Sequence, residues 1–136
     1  MLLYQYTRAM ALSDGVLVDV SKVAKEAGFK VPVAITAAVH ALISETTNAN
    51  GGIWNILTQD SEGRLWDVLK MAYFCARMSR GEPALLYKLV LPHYEVVTDV
   101  NGKQKKVLKT NSTLKMVTCG GDNGEQVITI MLPDED

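Results

Sequence analysis

The sequence predicts an α+β fold, with N-terminal helices and one long central helix packed on a C-terminal antiparallel β-meander of about four strands. Three observations predict it. Helix-capping and helix-stopping residues crowd the first half of the chain. A long segment from about Glu62 to Arg80 carries a wide apolar stripe and ends at Gly81. Beyond Pro83, strand-forming residues take over, punctuated by Asn101-Gly102 and by Gly120-Gly121-Asp122-Asn123-Gly124. The 136 residues have the length of one domain, 1–136, which can bury roughly two thirds of its unfolded surface without metals or disulfides.

The elements follow in order. Thr7 is placed to cap a short helix over Thr7–Leu12, and Gly15 to stop it. Val16 to Val20 is β-branched and short, a strand or an extended link. Ser21 is expected to cap a helix over Lys22–Ala27 that ends at Gly28. Pro32 then opens a further helix with Val33–Glu45 as its body, because Ile35, Val39, Leu42 and Ile43 fall at helical spacing. Residues 46–52 read as a polar, glycine-bearing loop, and 53–57 as a short apolar segment, helix or strand. Ser61 caps the long helix. Its stripe holds Leu65, Trp66, Leu69, Ala72, Tyr73 and Ala76, widened by Val68, Met71, Cys75 and Met78, with Asp67, Lys70 and Arg77 on a narrow polar strip. A helix so apolar is expected to pack on more than one side. In the second half, Leu85–Leu91 and Tyr94–Val97 flank a bend at Pro92-His93. Asn101-Gly102 predicts a type I′ hairpin joining Tyr94–Val100 to Gln104–Thr110, and Thr113–Cys119 pairs onward with Gln126–Leu132.

Net charge is −1 and the pI about 6.1. A dedicated nucleic-acid binder draws its affinity from a basic excess, so the balance argues against that class. Mean hydropathy is +0.07, apolar enough to suggest a buried homo-oligomer interface. Cys75 and Cys119 stand alone in an apolar helix and a strand, and read as small buried hydrophobes of a reducing compartment. The N-terminus lacks a basic region before an apolar run, and no stretch nears the ~18 apolar residues that span a bilayer. A soluble, untargeted, cytoplasmic protein is expected.

Several residue groups are candidates for chemistry. Val23 to Gly28 followed by Pro32 to Leu42 has the spacing of a helix-turn-helix, yet its second helix offers only Thr36 and His40 to base edges. A plain helical corner is the better reading. The loop Gly120–Gly124 lies between strands and lacks the Gly-Lys-Ser/Thr ending of a phosphate loop, so it reads as a hairpin turn. His40, His93, Cys75 and Cys119 have no ligand spacing, so no metal and no cofactor is expected. No Gly-x-Ser-x-Gly is present, and Cys75 sits among apolar neighbours that disfavour a thiolate. Lys88, Lys103, Lys105, Lys106 and Lys115, with Lys109, would gather several cations on one sheet face if the strands pair as drawn. Such a face can bind anions or simply guard an edge against aggregation.

Tyr6-Thr7-Arg8-Ala9-x-Ala11-Leu12-x-Asp14-Gly15-Val16-Leu17-Val18-Asp19-Val20 resembles the opening of an uncharacterised small-protein family, a domain of unknown function, of bacterial plasmids, phages and other mobile elements. Ala27-Gly28-Phe29-x-x-Pro32-Val33-Ala34, Gly63 to Leu69 and Gly124 to Pro133 look like its later signatures. The resemblance covers nearly the whole chain. It implies a context without an assigned chemistry: a non-enzymatic accessory protein that binds a host or defence protein, or a small anionic ligand. Arg8, Asp14 and Asp19 in the opening signature and Arg64 and Asp67 in the middle one are the polar positions to watch, with Arg8, Asp14, Arg64 and Asp67 the candidates to hold such a ligand, although a local ion pair at the cap is the plainer role for Arg8 and Asp14. An enzymatic reading requires those four to converge in one pocket. The alternative is a nucleic-acid-associated regulator using the 21–45 helical corner or the lysine-bearing face.

Overall fold

A computed structural model describes residues 6–45, 61–79 and 81–135. The expectations for 46–52 and 53–57 lie outside the described residues. The first helix, α1 (Arg8–Asp14), forms as its sequence directs. Thr7 Oγ1 accepts the Met10 N–H at 3.1 Å, and Gly15 closes the helix at φ 80° with its N–H on the Leu12 carbonyl. Strand β1 (Leu17–Asp19) and helix α2 (Ser21–Ala27) follow. Ser21 does not cap α2. Its hydroxyl donates to Asp19 Oδ1 at 2.6 Å and accepts the Val33 N–H at 3.0 Å, which ties the start of α2 to the next strand.

That next strand corrects the helix expected from Val33. Val33–Thr36 is strand β2, buried at every position, and only Ala37–Glu45 is helical, as α3. β2 pairs with β1 on one side and with the last strand on the other. An interior strand buried on both faces favours a continuous run of small and β-branched residues over an alternating one. Thr36 marks the change of structure: its Oγ1 accepts the Val39 N–H at 3.3 Å and so caps α3. The helical corner drawn over 21–45 is therefore a helix, a strand and a second helix.

The long helix α4 (Ser61–Met78) forms close to its expected bounds. After it come β3 (Ala84–Thr98), β4 (Gln104–Gly120) and β5 (Gln126–Met131). The four-strand antiparallel meander is corrected to a five-stranded mixed sheet of order β1-β2-β5-β4-β3. β5 runs parallel to β2, while the other neighbours are antiparallel. The segments expected as separate strands on either side of Asn111 are one strand, β4. Those flanking Pro92 are one strand, β3, whose register shifts between Val90 and His93.

The core lies on one face of the sheet. Val33 and Ile35 of β2, Tyr87, Leu89 and Leu91 of β3, Leu114 and Met116 of β4, and Ile128 and Ile130 of β5 meet Ala24 and Ala27 of α2, Val39 and Ile43 of α3, and Val68, Leu69 and Ala72 of α4. Each large side chain so buried stabilises the fold by about 1.5–3 kcal/mol relative to exposure. The long helix is buried along Arg64, Val68, Leu69 and Ala72, and leaves Trp66, Met71, Phe74 and Met78 exposed. It thus covers one side of the sheet and is not enclosed. Helix α1 lies toward the opposite face, where alternate residues such as Thr129 point.

Both β-turns in the second half share a backbone pattern, Gly121 N–H donating to Glu125 O and Gly124 N–H to Gly121 O in the second; the first adds a side-chain acceptor of its own. Asp99 N–H donates to Lys103 O, Gly102 N–H donates to Asp99 O, and Asp99 Oδ1 accepts the N–H groups of Asn101 and Lys103. Gly102 alone takes a positive φ, 78°, so the turn is a type I turn closed by a left-handed glycine and not the expected type I′. β5 pairs with β4 only from Lys115 to Gly120. The outer part of the β3–β4 hairpin therefore projects as a two-stranded ribbon.

Candidate binding surfaces

The four signature residues occupy two places. Arg8 lies between α1 and β5: Nη1 donates to Thr129 Oγ1 at 2.7 Å and Nη2 to the Ile128 carbonyl at 3.0 Å. Asp14, at the other end of α1, accepts the Tyr6 hydroxyl at 2.9 Å. These two do not form the ion pair weighed for them. Arg64 is 2% exposed on the opposite face of the sheet, within α4. Its Nε donates to the Ile43 carbonyl at 2.7 Å, and Nη2 donates to the Leu42 and Pro92 carbonyls at 2.9 and 2.8 Å. A guanidinium suits this position because its fork reaches the last carbonyls of α3 and the irregular stretch of β3 together. Asp67 follows one turn on, half-buried. Burial holds its carboxyl above the usual carboxylate range, against a smaller lowering by the Arg64 charge. The structure brings Arg64 and Asp67 together and keeps both apart from Arg8 and Asp14.

The lysines divide as well. Lys88 pairs with Thr113 and Lys115 with Leu86, so these two share one face of the hairpin. Lys115 Nζ donates to the Glu135 carbonyl. Lys105 and Lys106 are successive residues of β4, opposite Val97 and Val96, and point to opposite faces of the ribbon. Lys103 sits in the turn.

Three features escaped sequence reasoning. The first is a polar chain at the register shift of β3. His93 Nδ1 lies 2.9 Å from the Leu91 carbonyl and 3.0 Å from Ser112 Oγ, its Nε2 lies 2.9 Å from Glu95 Oε1, and Ser112 Oγ donates to the Leu91 carbonyl at 3.0 Å. The serine, like the histidine, is buried, so this chain pins the shifted backbone to β4. The second is a cavity of about 560 Å³ on the sheet face that carries α1, with Ala11, Thr36, Val117, Thr129 and Met131 around it and Asp14 and Glu135 also lining it. Cys119 lines it too and is exposed, which corrects the buried position expected of it; Cys75 is half-buried against the core.

The third is the outward face of α4. Trp66, Phe74 and Met78 are 37%, 48% and 86% exposed. Lys70 Nζ stands 5.7, 5.4 and 5.3 Å from the ring centres of Trp66, Tyr73 and Phe74, and its ammonium donates to the Ala27 carbonyl at 3.2 Å. Arg77 lies 5.8 Å from the Tyr73 ring centre and donates to the Tyr73 hydroxyl at 3.1 Å. That hydrogen bond, with the charges of Arg77, Lys70 and Lys30, lowers the Tyr73 phenol below its ordinary value. The signal was present in the spacing Trp66, Lys70, Phe74, one residue every four. It was masked because Trp66 and Tyr73 also fit the buried stripe.

Among the described residues no group of three or more His, Cys, Asp or Glu is placed to hold a metal ion, and no helix is long and apolar enough to cross a membrane. The architecture is that of a small α+β protein with a mixed sheet covered by helices. Residues 2–136 match the family of unknown function DUF6573, and the chain belongs to that family. No curated protein and no solved structure shows a significant match to it.

Proposed function

We propose that this chain is a non-enzymatic binding protein, an accessory of a phage, plasmid or other mobile element, that engages a host or defence protein in the cytoplasm. One observation carries the reading: α4 leaves Trp66, Phe74, Met71 and Met78 in water on its outward face. Aromatic residues and methionine are the side chains enriched where proteins meet, and Trp and Tyr recur among residues that dominate binding energy. Contiguous exposed apolar groups on a small domain mark such surfaces. A small anionic ligand is a further form of the same reading, since Lys25 and Lys30 line a recess of about 550 Å³ beside Gly28 and Phe29. A homo-oligomer through this face would be its self-complementary version.

The test is native mass spectrometry of the chain after incubation with a bacterial lysate and gentle re-isolation. A defined partner protein is expected with the parent chain and not with the Trp66→Ser, Phe74→Ser double variant, folding being checked by circular dichroism. Turnover of a substrate that a point change abolishes without unfolding would defeat the reading.

The second reading, a nucleic-acid-associated regulator, draws on one specific observation. The projecting ribbon presents Lys105, Lys106 and Lys109, with Lys103 in its turn. It predicts binding to DNA or RNA that weakens steeply with salt. Binding insensitive to salt, or none at low salt, removes it.

A further inference from the structure

Cations predominate at the centre of the outward face of α4. Lys70 and Arg77 stand 5.4 and 5.8 Å from the Tyr73 ring centre, and Lys30 directly follows Gly28 and Phe29, which pack against the same ring. None of the three makes an ion pair among the described residues, where the one such contact is His93 with Glu95. Their hydrogen bonds go to a backbone carbonyl and a phenol: Lys70 to Ala27 and Arg77 to Tyr73. Among the described residues, carboxylates lie only at its borders: half-buried Asp67 lines a recess with Lys70 and Met71 on the β3 side, and Glu26 and Glu62 line another with Lys22 at the Trp66 end. The face thus pairs exposed apolar rings with three cations, none of them in an ion pair among the described residues, and with Asp67 at its β3 edge.

Resting on the reading that this face binds a protein, we infer that its partner presents an acidic segment interleaved with apolar side chains. Carboxylates of that segment meet Lys30, Lys70 and Arg77, while its apolar groups cover Phe74, Met78 and the edge of Trp66. Charge complementarity of this kind sets the choice of partner and the rate of encounter. A single-stranded nucleic acid is the competing occupant, because bases also stack on aromatic rings beside cations. Two observations disfavour it. Lys70 already stands over the rings of Trp66, Tyr73 and Phe74, where stacked bases would lie. The chain as a whole is slightly acidic, at −1, whereas phosphate binding relies on several cations working together.

The experiment titrates the full chain with four probes: a twelve-residue peptide repeating Asp-Phe-Asp-Leu, the same peptide with Lys for Asp, the same peptide with Ser for Phe and Leu, and a twelve-nucleotide oligo(dT). The Trp66 indole N–H resonance, assigned with Trp66→Phe, reports binding at this face. The acidic apolar peptide is expected to shift it saturably. Each of the other three is expected to bind at least roughly tenfold more weakly, as when the complementary element of an interface is removed. Arg77→Glu, an exposed change that leaves the core intact, is expected to weaken the first peptide by a similar factor. Equal binding of the lysine peptide, tighter binding of oligo(dT), no indole shift with the acidic peptide, or an unchanged affinity in Arg77→Glu overturns the inference. The lysate experiment keeps it separate from the broader reading. If Arg77→Glu still captures the parent chain's partner, the acidic-segment inference falls and the binding function stands; if the parent chain captures no protein, the broader reading falls.

Discussion

The carboxylate of Asp122 accepts the backbone N–H of Arg8 at 2.8 Å, across more than a hundred residues of chain, and its second oxygen accepts the N–H of Ala9 at 3.0 Å. The turn between β4 and β5 thereby supplies the first amides of α1 with acceptors, which a short helix cannot provide for itself. The Arg8 side chain returns the contact through Thr129 and Ile128. Asp122→Ala is therefore expected to destabilise the fold by about 1 kcal/mol, the usual cost of losing a cap, and to speed amide exchange across α1. Hydrogen exchange measures both. Unchanged protection in α1 would show that the cap holds nothing in place.

Arg64 is the more costly site. Its guanidinium serves carbonyls of Leu42, Ile43 and Pro92 from a buried position. Arg64→Met keeps the apolar stem and removes the guanidinium, so those carbonyls lose their charged partner in a dry setting and a space is left beside them. A loss of about 3 kcal/mol is expected, read as a lower urea midpoint. Arg64→Lys should recover little, because a single ammonium cannot span the fork. Full recovery by lysine would mean that charge alone, and not geometry, matters there.

These two residues show what the sequence could and could not tell. Helix caps were legible where a side chain acts on its own turn, as Thr7 and Gly15 do. The long helix and the hairpins were legible from apolar spacing and from glycine placement. Asp122 and Arg64 act on elements far along the chain, and no local pattern announces that. Val33–Thr36 was misread for a related reason: Val33 and Ile35 fit the alternation of a strand while Ile35, Val39 and Leu42 fit a helix, and only the pairing with β1 and β5 decides between them. The parallel contact of β2 with β5 is likewise a tertiary fact. The aromatic face of α4 was legible as residues and not as exposure, since burial depends on what the sheet leaves uncovered.

Asp67 gives a pH-dependent prediction. Its folded pKa lies above its ordinary value of 3.8, chiefly through burial. Folding therefore favours the protonated form, and the stability tied to it is fully present below pH 3.8 and lost as pH rises through the folded pKa. Asp67→Asn is expected to raise Tm at pH 7 and to leave it nearly unchanged at pH 3. Thermal unfolding of both proteins across that range checks it. A variant that melts lower at pH 7 would mean that attraction to Arg64 outweighs the burial.

Gly28 joins the fold to the binding face. Its φ is +125°, a region that side chains avoid, and a Cβ built there would fall 2.6 Å from the Tyr73 ring. Phe29 meets the same ring edge-on, with centres 5.5 Å apart. Gly28→Ala must both strain the backbone and push Tyr73 aside, so a loss above about 1–3 kcal/mol is expected, the range for such backbone strain alone. The displacement of Tyr73 has a second consequence, because that ring holds Arg77 and lies under Lys70. Pairing Gly28→Ala with Tyr73→Leu should therefore cost less than the sum of the single changes, as expected for residues in contact. Urea unfolding of the two single variants and the double variant measures the coupling. Strict additivity would mean that the glycine is required for its φ alone, and that the close approach of the tyrosine ring adds nothing.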